Sequence, residues 1–448
     1  MSYLTRPLDQ KGMPAGIPYI IGNEAAERFS FYGMRTILVV FMTQYLMGAS
    51  GVLAPMGEED AKGWYHLFVS AVYFTPLFGA VLADVWWGKY KTILLLSLVY
   101  CGGHLALALD DTRLGLGLGL GLGLIALGAG GIKPCVSAHV GDQFGHGNRA
   151  LISRTFGWFY MAINVGAFIS TLLTPWLLKE YSPHWAFGVP GVLMALATLM
   201  FWMGRNKFVH VPPAGRVFLQ EALSRDTLRI FGRLLLIYLF IAVFWSLYDQ
   251  TGSSWVLQAQ HMDRHLLGFE LLPSQIQAIN PLLIIVLIPL FSYVIYPFLG
   301  KMMKLTPMRK VAMGFLLAAA AFAVSSLAQE RIDAGGTPGI WWQLLAYVLL
   351  TGGEVMVSIT ALEYSYTQAP RTMKSFIMAL FMLSVSLGNI FTSTVNFFIQ
   401  NEDGTVMLEG AGYYWFFTIL MAVTAVLFAL LTPLIRDKTI LQVSESAA

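Results

Sequence analysis

The chain reads as an all-α polytopic membrane protein, and three observations carry that reading. Hydrophobic residues fill 56% of its 448 positions and charged ones 12%, about half the share of charge in an average soluble domain. The apolar residues fall in blocks of about twenty, enough for a helix to cross a hydrocarbon core of ~30 Å. Lysine and arginine concentrate in alternate connections. Lipid cannot hydrogen-bond a bare backbone, so the crossings are helices or a closed barrel. Barrel strands alternate apolar and polar residues, whereas the runs here are continuous, as from Leu282 to Leu290.

Twelve spans are predicted, at roughly 17–47, 63–84, 91–109, 114–137, 154–179, 184–203, 232–259, 275–299, 307–328, 341–367, 373–400 and 411–434. The first is long enough to tilt strongly or to project beyond the bilayer. The longest connection, 204–231, is basic and contains Pro212-Pro213. It divides the chain into a tail (1–16), a six-helix bundle (17–203), a linker (204–231), a second six-helix bundle (232–436) and a second tail (437–448). Two such halves resemble the major facilitator arrangement, whose substrate site lies between the halves near mid-membrane.

Orientation follows from the basic residues. With the N-terminus inside, inner connections and tails hold twenty of the 28 Lys and Arg, and outer ones five, among them Lys62 and Arg331. That bias puts both termini in the cytoplasm. No cleavable leader is expected, since Met1 to Gly16 lacks the basic start and short apolar core of one. Cys101 and Cys135 lie in apolar spans without partners at metal spacing, so neither metal nor disulfide is expected. The Gly-Leu alternation from Gly115 to Leu124 places Gly115, Gly119 and Gly123 four apart, which lets a neighbouring helix approach closely. The favoured reading is a tolerated repeat with leucines facing lipid.

Three basic residues remain inside spans, Arg28, Arg35 and Lys133, with the acids Glu24, Glu27, Asp249, Glu354 and Glu363; Asp84 closes the second span. An ionisable group deep in a bilayer is costly unless it faces a partner or water, so such groups mark a polar path. On the first helix, Glu24, Arg28 and Arg35 lie within about 40° of one another and Glu27 about 60° to one side. An internal Glu24–Arg28 salt bridge at i,i+4 accounts for two of these charges. It leaves Glu27 and Arg35 needing partners elsewhere. Lys133 and Glu354 sit on opposite halves, either paired across the centre or gripping opposite ends of a zwitterion. His66 lies near a helix end and has a side chain suited to proton transfer.

The stretch Glu24-Ala25-Ala26-Glu27-Arg28-Phe29-Ser30-Phe31-Tyr32-Gly33-Met34-Arg35 resembles the E-x-x-E-R signature of the proton-dependent oligopeptide transporter family. Gly79 to Lys89, Phe156 to Phe168 around Asn164, Phe244-Trp245 with Asp249 to Ser253, Asn280-Pro281, and Gly353-Glu354 through Pro370 are similar to further segments of that family, in order. The resemblance implies proton-coupled import of di- and tripeptides by a monomer, without cofactor, metal or enzymatic activity. It implies proton coupling at Glu24, Glu27, Arg28 and His66. It implies peptide binding by Arg35 and Lys133 at the carboxylate, Glu354 at the ammonium, and Asn164, Asn280, Tyr32 and Tyr73 along the backbone. Asp84, Asp249 and Glu363 are read as gating or supporting groups.

Phe31 stands where relatives commonly have Tyr. The short 204–231 and 329–339 connections point to a bacterial-type member of the inner membrane with twelve spans. A carrier of another anion such as nitrate is the alternative, though it has no use for Glu354 opposite the basic groups. A membrane enzyme lacks any H-E-x-x-H or nucleophile motif to support it, and nothing suggests nucleic-acid binding.

Overall fold

The computed structural model describes residues 3–112, 116–215, 224–368, 374–400 and 406–432. Within them run α1 (Ile17–Val40), α2 (Glu58–Trp87), α3 (Lys89–Leu109), α4 (Leu118–Asp142), α5 (Arg149–Glu180), α6 (Pro183–Asn206), α7 (Leu228–Gln260), α8 (Pro273–Met302), α9 (Pro307–Asp333), α10 (Trp341–Ser365), α11 (Phe376–Phe398) and α12 (Ala411–Leu431). The eleven from α2 onward are long and apolar enough to cross a membrane. The first is distinguished by its four buried or half-buried charges. Every predicted span has its helix, displaced by a few residues at the ends.

Those displacements have local causes. Glu58, Glu59 and Asp60 fill the first turn of α2, where carboxylates complement the positive end of the helix dipole. The helix therefore starts before its apolar block. This corrects the placement of Lys62 in an outer loop. It lies inside α2 and is buried, with Nζ 2.7 Å from Glu59 Oε1 and 4.1 Å from the centre of the Tyr413 ring. Gly88, at φ 74°, makes the reversal between α2 and α3, a conformation that costs glycine little. At α9 the Thr306 hydroxyl accepts the Arg309 N–H at 3.3 Å, which satisfies one of the donors left free at a helix start.

Two hydrophobic cores follow the two halves. One gathers residues mainly between Ile17 and Phe208, the other residues between Leu234 and Phe428. Close helix crossings rely on paired glycines: a Cβ on Gly79 of α2 would collide with the Gly131 backbone of α4. Within the Gly-Leu repeat the close approach falls on Gly121, where a Cβ would meet Leu107 and the Gly103 carbonyl of α3. A Cβ on Gly119 or Gly123 would meet nothing within 4 Å, and Gly115 lies outside the described residues. Leu120 is exposed, as expected for a lipid-facing residue, whereas Leu118 and Leu122 are buried.

The halves meet along α2 and α11 and along α5 and α8. Among the described residues, their polar contacts lie at mid-helix or toward the end where α1 finishes, the far end. There Ser393 donates to the Gly63 carbonyl at 2.8 Å and Gln275 to the Leu172 carbonyl at 2.8 Å, while the Ser70 and Ser386 hydroxyls lie 2.9 Å apart. At the near end, the leading tail is strapped to the segment after α6. The His210 N–H donates to the Leu4 carbonyl at 2.7 Å, and the Ala214 N–H to the Asp84 carbonyl at 2.7 Å.

Candidate functional site

The charges that composition makes conspicuous are drawn together by two interruptions of regular helix. In α7 a 3-10 turn, Asp249–Gly252, carries Asp249. In α10 a π-turn, Val355–Ile359, begins directly after Glu354. Such turns re-aim side chains and recur at functional positions.

Between the halves lies a cavity of about 220 Å³. The first half lines it with Tyr32, Arg35, Tyr73, Tyr160 and Asn164, and the second with Trp245, Tyr248, Asp249, Asn280, Tyr347 and Glu354. Arg35, Tyr32, Tyr73, Asn164, Asn280 and Glu354 are thus brought together around one cavity. Asn280 Nδ2 donates to Glu354 Oε2 at 2.9 Å and to Thr351 Oγ1 at 3.1 Å, and the Tyr248 hydroxyl also bonds Glu354. The carboxylate is held by neutral groups, with no basic residue of the described chain in ionic contact.

Arg35 has a partner across the interface. Its Nη2 forms an ion pair with Asp249, and its Nε donates to the Tyr65 hydroxyl at 2.7 Å. Asn389 Nδ2 donates to the other oxygen of Asp249 at 2.6 Å. That orientation turns Asn389 Oδ1 toward His66 Nδ1, 2.7 Å away, so Nδ1 carries the proton. Nε2 then accepts from the Ser253 hydroxyl at 2.8 Å. Arg35, Tyr65 and His66 belong to the first half; Asp249, Ser253 and Asn389 belong to the second. The network closes the cavity toward the far end.

Behind the near wall, Arg28 Nε lies 2.7 Å from Glu24 Oε1, the i,i+4 pair expected, and 3.2 Å from Glu27 Oε2. Glu27 is fully buried and neither of its carboxylate oxygens has hydrogen-bond geometry. Lys133 and Glu354 do not pair. Lys133 lies outside the cavity lining and its Nζ makes no hydrogen bond. Asp84 sits at the near end of α2 and Glu363 is exposed, both away from the cavity. Sequence reasoning missed Tyr65, Tyr160, Tyr248, Ser253 and Asn389. The first and third each adjoin a predicted ionisable residue, His66 and Asp249, and Ser253 and Tyr160 lie one helical turn from Asp249 and Asn164, so adjacency was the available signal. For Asn389 on α11, where no predicted ionisable residue lies nearby in sequence, no such signal existed.

Among the described residues, twelve long helices in two six-helix bundles around a charged central cavity define a polytopic membrane protein of the major facilitator fold. The sequence model described as the POT family matches residues 90–224 and 218–416. The chain is 37% identical over 401 residues to solute carrier family 15 member 2 of Homo sapiens, covering 78% of this chain and 54% of that protein. It is 39% identical over 366 residues to peptide transporter family 1 of Drosophila melanogaster, covering 71% of this chain and 48% of that protein. The solved structure of the POT family transporter PepTSo superposes with a TM-score of 0.85 at 36% identity, covering 94% of this chain and 98% of that one. The chain belongs to the POT family. It spans about half the length of the curated relatives it matches. Those two relatives are animal proteins and lend no support to the bacterial-type reading.

Proposed function

We propose that the chain is a proton-coupled importer of di- and tripeptides, working as a monomer by alternating access. One observation carries the reading: a single cavity bears a basic group from one half, Arg35, and an acidic group from the other, Glu354. A short peptide is a zwitterion whose terminal charges stand one to three residues apart, at about 3.3–3.6 Å per residue, and a dipolar site suits it. Asn164, Asn280, Tyr32 and Tyr73 offer the amides and hydroxyls that a peptide backbone needs. The name of the fly relative, peptide transporter family 1, agrees with this reading. Nitrate, the alternative, has no use for Glu354 and finds no support among the relatives.

The basic bias of the near-end segments supports cytoplasmic termini and a cytoplasmic linker at 204–231, in the plasma membrane. The far end then faces outward, and its closure corresponds to an inward-facing conformation. Glu27, the helix-one acid without a hydrogen bond, is the proposed proton site, with Glu24 and Arg28 beside it. His66 is its counterpart in the far-end network. Protonating a carboxylate beside Arg28 weakens the ion pair and makes a guanidinium available to a substrate carboxylate. Movement of one bundle against the other follows.

The test is a competition assay with a free, an N-acetylated, a C-amidated and a doubly blocked dipeptide. Removing a charge that the site is built to pair costs more than tenfold in affinity. The free peptide should therefore compete best, and Glu354→Gln should narrow the gap between free and acetylated forms. Equal competition by free and acetylated peptides would remove Glu354 from the ammonium site.

A further inference from the structure

Lys133 is an ionisable residue of α4 that is 7% exposed and whose ammonium has no hydrogen-bond partner. It is nevertheless not without contacts. Its Nζ lies 3.9 Å from the centre of the Phe31 ring and 4.4 Å from that of Tyr73. Phe31 is fully buried. Tyr73 reaches the cavity wall while Phe31 and Lys133 stand behind it. The negative faces of two aromatic rings attract a cation, and most strongly one removed from water.

The charged neighbours explain why rings hold this group. Glu24, Glu27, Arg28 and Arg35, all from α1, are among the charges within electrostatic reach of Lys133. Glu24 is engaged by Arg28, and Glu27 faces Arg28 as well. Arg28 and Arg35 repel a further cation. The ammonium therefore rests on aromatic faces without a carboxylate of its own. Rings do not neutralise charge, so an anion arriving in the cavity outcompetes them.

We propose that Phe31 and Tyr73 form an aromatic cage that stores the Lys133 ammonium beside the cavity, and that a substrate carboxylate binds by drawing it off the cage. The proposal rests on Lys133 being a carboxylate-binding group of the site described above. Phe31 is then a positioning residue that sets how readily Lys133 is released. Its consequence has a definite sign: a weaker cage gives tighter binding of peptides that carry a free C-terminus.

The test is binding of labelled alanyl-alanine and of its C-terminal amide to the purified full-length protein. Position 31 carries phenylalanine or its mono-, di- and trifluorinated forms, with Phe31→Leu alongside. Fluorination drains the negative ring face and barely changes its size. The Kd for the free dipeptide should fall step by step, by about two- to tenfold at the end of the series, while the Kd for the amide stays constant. A flat series overturns the cage. So does a parallel shift for both peptides, which marks a change of packing. Equal binding of the two peptides by the unsubstituted protein overturns the assignment of Lys133 to the carboxylate, and the role of the cage with it. That outcome is read before any substitution is made, so the two failures are distinct.

Discussion

His66 Nδ1 donates to Asn389 Oδ1 across 2.7 Å, a hydrogen bond that joins α2 of one bundle to α11 of the other. Asn389 in turn donates to Asp249, which holds Arg35. The two bundles are thus tied at the far end by a continuous chain of polar groups whose direction is fixed by the carboxylate. Buried networks of this kind couple their members beyond pairwise contacts.

His66→Ala and Asn389→Ala should be non-additive in thermal stability, with a coupling of about 0.5–3 kcal/mol in a double-mutant cycle. Additive effects would mean that the two side chains act independently, and His66 would lose its place in the network.

Asp249 is the counter-charge of a buried guanidinium. Asp249→Asn leaves Arg35 uncompensated, and removing one member of a buried pair costs about 3–5 kcal/mol. In this molecule part of that cost can be relieved by separating the bundles at the far end. Accessibility of a single cysteine replacing Ser253 should therefore rise in the Asp249→Asn background, and the melting temperature should fall. An unchanged labelling rate with an unchanged melting temperature would contradict the pair as a far-end closure.

Topology gives a third outcome. Single cysteines at Gly215 and Asp333, at opposite ends of the helices, should be labelled from opposite faces: Gly215 only from the cytoplasm, Asp333 only from outside. Labelling of Gly215 from the outer face would overturn the orientation. Arg371, which the charge bias also places inside, lies outside the described residues.

Much of this architecture was legible because a membrane restricts what a backbone can do. Continuous apolar runs admitted one kind of crossing element, so the twelve helices were readable. Their ends slipped outward where polar residues such as Glu58 to Asp60 prolong a helix, and inward where the chain leaves the helix within an apolar run, as after Val40 and at Leu46. The residues of the cavity were legible because charge in lipid demands a reason, which singled out Arg35, Asp249 and Glu354. Partnership was less legible. The i,i+4 geometry gave Arg28–Glu24, but Arg35–Asp249 spans two bundles and His66–Asn389 joins residues 323 positions apart, which local spacing does not encode. Lys133 shows the same limit: its charge marked it as functional, while the rings that hold it belong to helices distant in sequence.

The proposed proton-driven accumulation of peptide, with Glu27 as the proton site, is measured most directly in liposomes. Purified protein in liposomes is given a labelled dipeptide with and without an inward proton gradient, alongside Glu27→Gln. The wild type should concentrate the peptide only under the gradient. The variant should lose that accumulation while still exchanging peptide between equal pools. Accumulation independent of the gradient would contradict proton coupling, and wild-type accumulation by Glu27→Gln would contradict the assignment of the coupling site.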